Sequence, residues 1–468
     1  MKITFYGAAQ GVTGSKHLIE SNGYKILLDC GLHQGKRQEA YQLNKTMPFD
    51  AKTIDAVILS HAHADHCGLL PMLIKNGYKN NIYTTPTTAD IARLIMLDSA
   101  KIQTSDYLHL QEQGIPETEL LPPLYTTDDV ENTCKHFKPT PYARDKAGWV
   151  KLNDSCQFKF YDAGHILGSA VTVLQCQENG ETKTLAFTGD LGNHHVPILR
   201  DAEIIEEPVE ALITECTYGN KNHRPVTEVD EFLINVIKDA IQYKRRLIVP
   251  AFALGRTQEL IYVLHKLHDA GKIPPIPIYI DSPLGNEITE VFDNHYENFD
   301  QEAWQDFISH HESPFAFQNL NYVNTTEESK KLNTLVGPCM IIASSGMAEG
   351  GRILHHLEHS VGDPNAIIII TGYQAEYTLG RKLVEGASSV RIYDRWHDVR
   401  AKVMTINEFS AHADQIGLLN YISSIKQLEN VFVVHSEMPQ ATTFKEVLQA
   451  KLPNLKIIIP EVKQSFEI

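Results

Sequence analysis

Residues 56 to 66 read Ala56-Val57-Ile58-Leu59-Ser60-His61-Ala62-His63-Ala64-Asp65-His66, a short apolar run followed by four nitrogen and oxygen donors within six positions. The apolar run reads as a buried strand, so the donors sit where that strand ends. Alternate residues of an extended segment point the same way. His61 and His63 therefore suit one cation, while Asp65 and His66, where the backbone turns, suit a second. If each residue type is roughly one in twenty, four fixed positions arise by chance in well under about one per cent of chains of this length. The stretch implies metal-dependent hydrolytic chemistry.

The chain has 468 residues, 43% hydrophobic and 21% charged, the balance of a globular protein too long for one ordinary core. Two domains are expected. The opening MKITFYGAAQ lacks the apolar core and cleavage site of a signal peptide, and no segment approaches the length of a membrane span. A cytoplasmic protein without membrane contact is expected. Seven cysteines, at 30, 67, 134, 156, 176, 216 and 339, form no C-x-x-C pair and read as small buried thiols in a reducing compartment. The formal charge of -16 excludes a protein that coats nucleic acid nonspecifically. It does not exclude a locally positive cleft.

From Lys2 to about Pro208 the pattern is mostly strands, with hairpins marked by Asn22-Gly23 and Asn179-Gly180, and helical spacing at Leu69 to Ile74 and Ile91 to Leu97. This is a layered α/β arrangement with paired sheets. From about Val209 the rhythm becomes strand, helix, strand, with short apolar runs at Ala211 to Ile213, Leu247 to Val249, Ile276 to Ile280, Met340 to Ala343 and Ala366 to Ile370. That alternation implies a parallel sheet covered on both faces. Its strands run into Thr214 to Gly219, Pro250 to Arg256, Asp281 to Gly285, Ser344 to Met347 and Thr371 to Gln374, and such turns line one crevice in an open parallel sheet. From about Val390 strands return, at Val403 to Ile406, Val431 to Val434 and Lys456 to Ile459, around a helix near Gln415 to Ile425.

Two cations need about seven or eight ligands. His165, between Gly164 and Gly168, and Asp190, after Gly189, follow strands in the manner of further ligands. A carboxylate can bridge two cations where neutral imidazole cannot, so Asp190 is the natural bridge. Asp29, closing Ile26-Leu27-Leu28, reads as a partner that orients a ligand histidine.

These residues resemble the ligand motifs of the metallo-β-lactamase superfamily. Glu215, His412 in Phe409-Ser410-Ala411-His412-Ala413-Asp414, and His435 in Val433-Val434-His435-Ser436 are similar to the three added motifs of its β-CASP ribonuclease family. The likeness is to bacterial members resembling the pre-mRNA 3′-end-processing endonuclease. It implies an α/β fold, a metallo-β-lactamase αββα sandwich formed by residues 1–208 and 394–468, with a β-CASP parallel-sheet α/β domain inserted at 209–393. Two zinc ions are implied, manganese being an alternative for a site with two aspartates. One ion falls to His61, His63 and His165, the other to Asp65, His66 and His435, with Asp190 between them. Asp65, Glu215 and His412 are the implied catalytic residues, His412 as proton donor and Glu215 as its carboxylate neighbour. A glycine usually follows the last histidine; Ser436 stands there, and either needs an ordinary backbone or carries strain.

The implied activity is hydrolysis of single-stranded RNA, endonucleolytic rather than 5′-exonucleolytic, since neither a preceding RNA-binding module nor a long C-terminal extension is seen. A silent RNA-binding subunit and a small-molecule hydrolase are the alternatives, and a homodimer is a further expectation. Phosphate contacts are expected from Arg256, Ser344, Ser345, Arg352 and Arg381, with Tyr373 as a stacking surface.

Overall fold

A computed structural model describes residues 1–145, 148–223, 228–372, 374–375, 377–406 and 410–468. The chain divides into two compact units, one of residues 1–194, 201–222 and 412–468, the other of residues 195–200 and 223–411.

The first unit carries two seven-stranded sheets. One runs Ser465–Glu467, Lys2–Gly7, Lys16–Ser21, Tyr24–Leu28, Ala56–Ile58, Ile82–Thr84 and Phe137–Pro139 in spatial order. The other runs Lys456–Ile458, Asn430–Val433, Ala211–Thr214, Glu181–Phe187, Ala170–Glu178, Cys156–Asp162 and Val150–Lys151. Side chains alternate across a strand, so each sheet gives one face to the other: Ile3, Phe5, Ile19, Ile26 and Leu28 pack with Phe158, Phe160, Leu174, Leu185, Phe187 and Phe432. The outer face of the second sheet, with Val171, Val173, Leu212, Val431 and Val433, is covered by Leu418 and Ile422 of the helix Gln415–Ser424 and by Ala441, Phe444 and Leu448 of Met438–Lys451. On the first sheet's side the helix Pro86–Glu112 packs on the strand Phe137–Pro139. The result is the αββα sandwich.

Both hairpin readings hold. Ser21 pairs with Tyr24 and Glu178 with Glu181. Asn22 and Gly23 (φ 49° and 81°), like Asn179 and Gly180 (φ 52° and 85°), supply the two left-handed positions that a two-residue turn between twisted strands needs.

The second unit holds a six-stranded, wholly parallel sheet in the order Leu320–Tyr322, Ile278–Asp281, Cys339–Ala343, Arg246–Pro250, Ala366–Thr371 and Lys402–Ile406. The strands Cys339–Ala343 and Ala366–Thr371 are buried along their whole length, as expected of strands covered on both faces.

Three sequence readings change. Ala211–Thr214 pairs in parallel with Glu181–Phe187 and Asn430–Val433, so it belongs to the sandwich and not to the inserted sheet. Lys402–Ile406 moves the other way, extending the inserted sheet beside Ala366–Thr371. The boundaries accordingly fall near 222 and 411 rather than 209 and 393. A short apolar run records burial but not the partner strand, which is a long-range choice. The third change is at Cys156 and Cys176, which face each other across an antiparallel pair and are joined as a disulfide. Cys30, Cys67, Cys216 and Cys339 are buried thiols as read. No helix among the described residues is long and apolar enough to cross a membrane.

Candidate metal centre

Every proposed ligand lies in the first unit, just beyond the carboxyl end of a strand. His61 follows Ala56–Ile58, His165 follows Cys156–Asp162, Asp190 follows Glu181–Phe187, and His435 follows Asn430–Val433. His63 is the extended cap of the short helix Ala64–Cys67, and the first turn of that helix presents Asp65 and His66. Close approach of the loops needs glycine: a Cβ at Gly189, whose φ is 55°, would lie 2.7 Å from Cβ of Ser60.

Two sets of donor atoms result. In the first, Nδ1 of His63 is 3.1 Å from Nε2 of His61 and 3.2 Å from Nε2 of His165. Asp190 Oδ2 is 3.4 Å from the former and 3.5 Å from the latter nitrogen. Donors placed tetrahedrally at about 2.0–2.1 Å from a cation are about 3.3–3.4 Å apart, so these spacings are those of a coordination shell. In the second set, Asp65 Oδ2 is 3.9 Å from His66 Nε2 and 3.2 Å from His435 Nε2. Asp190 Oδ1 lies 3.4 Å from His66 Nε2. Both His66 Nε2 and Asp190 Oδ1 are buried with no hydrogen-bond partner among the described residues. Orphaned buried polar atoms are costly, and a cation accepting both lone pairs removes that cost. The residues fit a bound metal.

The imidazoles are held from behind. Asp29, fully buried, accepts from His66 Nδ1 (2.7 Å), Ser60 N (2.8 Å), Ser60 Oγ (2.9 Å) and Ser15 Oγ (3.2 Å). Ser60 Oγ in turn lies 3.0 Å from His61 Nδ1 and accepts from it. Hydrogen bonds at Nδ1 leave the Nε2 lone pairs facing the centre. Sequence reasoning missed Ser60, Ser15 and Thr217; the only local signal was a hydroxyl next to His61 and two positions after Glu215, whereas Ser15 reaches Asp29 only through the fold.

His435 itself has φ 50°, a left-handed backbone that costs a non-glycine residue on the order of 1 kcal/mol. The strain anticipated at Ser436 thus sits one residue earlier, and Ser436 is outside the left-handed region.

The electrostatics differ between the two sets. Burial holds His61, His63 and His165 below the ordinary imidazole range, His63 at about 3, so their lone pairs carry no proton. Burial also opposes charge on His66 and His435, but Asp190 and Asp65, with Asp29 behind His66, outweigh it and raise both. Asp190 pays a burial penalty too, yet His435, His66 and His61 hold it well below the carboxylate range.

Beside the donors stands a partly exposed histidine on a buried carboxylate. His412 Nδ1 is 3.0 and 3.1 Å from the two Glu215 oxygens and 4.0 Å from Asp190 Oδ2. Burial lowers the basicity of His412, but the Glu215 carboxylate, with Asp190 and Asp65 beyond it, lifts its pKa to about 9. Glu215 is fixed by accepting from Leu191 N at 2.7 Å and Thr217 N at 3.2 Å.

The residues expected to hold phosphate lie in the second unit. Ser344 Oγ is 2.8 Å from Ser282 Oγ at the carboxyl ends of neighbouring strands. Arg352 is anchored by Asp281 Oδ1 at 2.6 Å, Arg256 by Glu259 at 2.6 Å and Arg381 by Glu385 at 2.6 Å. Ser345 accepts from Glu349 N at 3.3 Å. Tyr373 lies outside the described residues.

Residues 18–212 match the metallo-β-lactamase superfamily domain, 257–383 the Beta-Casp domain, and 396–460 the Zn-dependent metallo-hydrolase RNA specificity domain. A ribonuclease of Thermus thermophilus is 34% identical over 93% of this chain and 93% of its own length. An RNase J-like protein of Methanocaldococcus jannaschii is 31% identical over 94% of both chains, and that organism's transcription termination factor FttA is 30% identical over 96% of this chain and 69% of its own. A solved structure of a protein of unknown function from Enterococcus faecalis V583 shares the fold, at 12% identity and a TM-score of 0.53 over 99% of both chains. With its sandwich, its inserted parallel sheet and its histidine and aspartate cluster, the chain belongs to the β-CASP branch of the metallo-β-lactamase superfamily, a family of metal-dependent hydrolases that includes ribonucleases.

Proposed function

We propose that this chain is a zinc-dependent ribonuclease that hydrolyses phosphodiester bonds of single-stranded RNA, cutting internally, with two ions per chain. The observation that carries the reading is the Glu215–His412 pair, a histidine kept protonatable by a buried carboxylate 3.0 Å away, next to two sets of cation donors that share Asp190. Bound ions would acidify a water near neutral pH and neutralise charge developing on a phosphate.

The side chains supply the rest. His61, His63 and His165 would hold one ion and Asp65, His66 and His435 the other, with one oxygen of Asp190 directed to each. Departure of a ribose O3′ needs a proton, and His412, its Nδ1 tied to Glu215, would give it from Nε2. Glu215 stabilises the cationic form before transfer and orients the ring, while Asp29 and Ser60 keep the His66 and His61 imidazoles in one tautomer. Products would carry a 5′-phosphate and a 3′-hydroxyl. Similarity to a ribonuclease supports RNA as substrate. The full set of donors argues against a silent RNA-binding subunit, and the Glu215–His412 pair would have no task in a small-molecule hydrolase.

The test is incubation with 5′-labelled single-stranded RNA and DNA, with and without chelator. Internal RNA fragments that vanish with chelator are expected. Released mononucleotide would replace the endonuclease reading with a 5′-exonuclease, and intact RNA in excess zinc would overturn the enzymatic reading.

A further inference from the structure

Thr217 lies two residues beyond Glu215, in the turn after the strand Ala211–Thr214. Its hydroxyl meets His435 twice, 3.2 Å from the backbone carbonyl and 3.1 Å from ring Nδ1. A hydroxyl has one proton and two lone pairs. The proton is given to the carbonyl, so the ring nitrogen must be the donor in the other contact, and the proton of neutral His435 is placed on Nδ1. That leaves the lone pair on Nε2, the atom 3.2 Å from Asp65 Oδ2 in the second donor set. The same hydroxyl and the amide-to-carbonyl bond from His435 N to Ala8 O, 2.7 Å, clamp a residue whose φ is 50°. Glu215, whose carboxylate also accepts from Thr217 N, faces His412 from the other end of this three-residue turn.

We propose that Thr217 is a positioning residue for the second cation: its hydroxyl selects the Nδ1–H tautomer of His435 and holds the ring in line with Asp65 and His66, and through one short turn sets that ion in register with the Glu215–His412 pair. The inference rests on the two-ion reading of the centre. Valine has the shape of threonine without the hydroxyl, and serine has the hydroxyl without the methyl group, so the two substitutions separate the hydrogen bonds from the packing.

The experiment titrates zinc into the full chain against a chromophoric chelator, for the unaltered protein, T217V and T217S. The unaltered protein should take two ions. T217V should keep the first affinity and weaken the second about 10- to 100-fold, the range for loss of a ligand-orienting partner, while T217S should restore it to within about threefold. In the zinc-loaded, 15N-histidine-labelled protein the His435 Nδ1–H resonance should persist in T217S and be lost or exchange-broadened in T217V. Equal second-ion affinity in T217V, or T217S failing as badly as T217V, would overturn the proposal while leaving two ions in place. If T217V also lost the first ion through misfolding, T217S alone would decide, since a lone hydroxyl must then suffice for both ions. Uptake of a single ion by the unaltered protein would instead remove the two-ion reading, and this proposal with it.

Discussion

At the residue scale the two donor sets meet protons differently. His61, His63 and His165 are held neutral by burial, whereas His66 and His435 are raised by the carboxylates around them. A proton and a cation compete for the same lone pair. Affinity of the first set for zinc should therefore change little from pH 6 to 8, and that of the second should rise with pH, as chelator-competition titrations at a series of pH values would show. His412 works in the opposite sense. The Glu215 carboxylate lifts its pKa to about 9, and positive charge held at the donor atoms would draw it down from there. In the proposed role of proton donor it must be charged, so turnover should fall as pH rises through the pKa that His412 has in the zinc-loaded enzyme. Glu215→Gln removes the carboxylate that raises it, and the alkaline limb of the pH–rate profile should move to lower pH. His412→Ala should lower kcat about 10²- to 10⁴-fold with zinc content unchanged, because no donor atom of either set is removed. Full turnover of that variant on single-stranded RNA would take His412 out of the reaction.

At the scale of elements, what was legible is what short-range chemistry encodes. The strand before His61, the two hairpins with their Asn-Gly turns and the fully buried runs at 340–343 and 366–370 could be read because periodicity and turn conformation are local properties. The membership of Ala211–Thr214 and Lys402–Ile406 was not, since both are short apolar runs that either sheet accepts. The histidines and aspartates of the two clusters stand out by type and spacing, whereas Ser15, Ser60 and Thr217 are common residues that meet Asp29, His61 and His435 only once the strands bring them there. Of the expected phosphate-binding arginines, Arg256 and Arg381 pair with carboxylates at helical spacing, Glu259 and Glu385, whereas the partner of Arg352, Asp281, is 71 residues away and is brought to it by the fold. The turn at Gly189 gives an element-scale prediction. Gly189→Ala would force a side chain against Ser60 at a backbone φ of 55°, so urea denaturation should show a loss of at least about 1 kcal/mol and zinc titration a weaker first ion.

At the scale of the whole molecule, every donor belongs to one of the two compact units. Ligands that bind only the folded state stabilise it by mass action, about 2.7 kcal/mol at a hundredfold excess over Kd. Chelation should accordingly cost hydrogen-exchange protection in the unit that holds the donors, at 56–67, 186–192 and 430–436, and leave the buried strands 339–343 and 366–371 of the other unit protected. Equal loss in both would show that the units do not stabilise separately.

The strand order has a consequence in time. The first donor set is complete once residue 190 has been made, but the second waits for His435, more than two hundred residues later, just after the strand Asn430–Val433 that pairs with Ala211–Thr214. On the proposed two-ion reading, the nascent chain would be able to hold one cation long before the other has a place to bind. If the proposed two-ion reading holds, the chain between those two moments would have one donor set and no His412, and hydrolysis would wait until the inserted sheet has been translated.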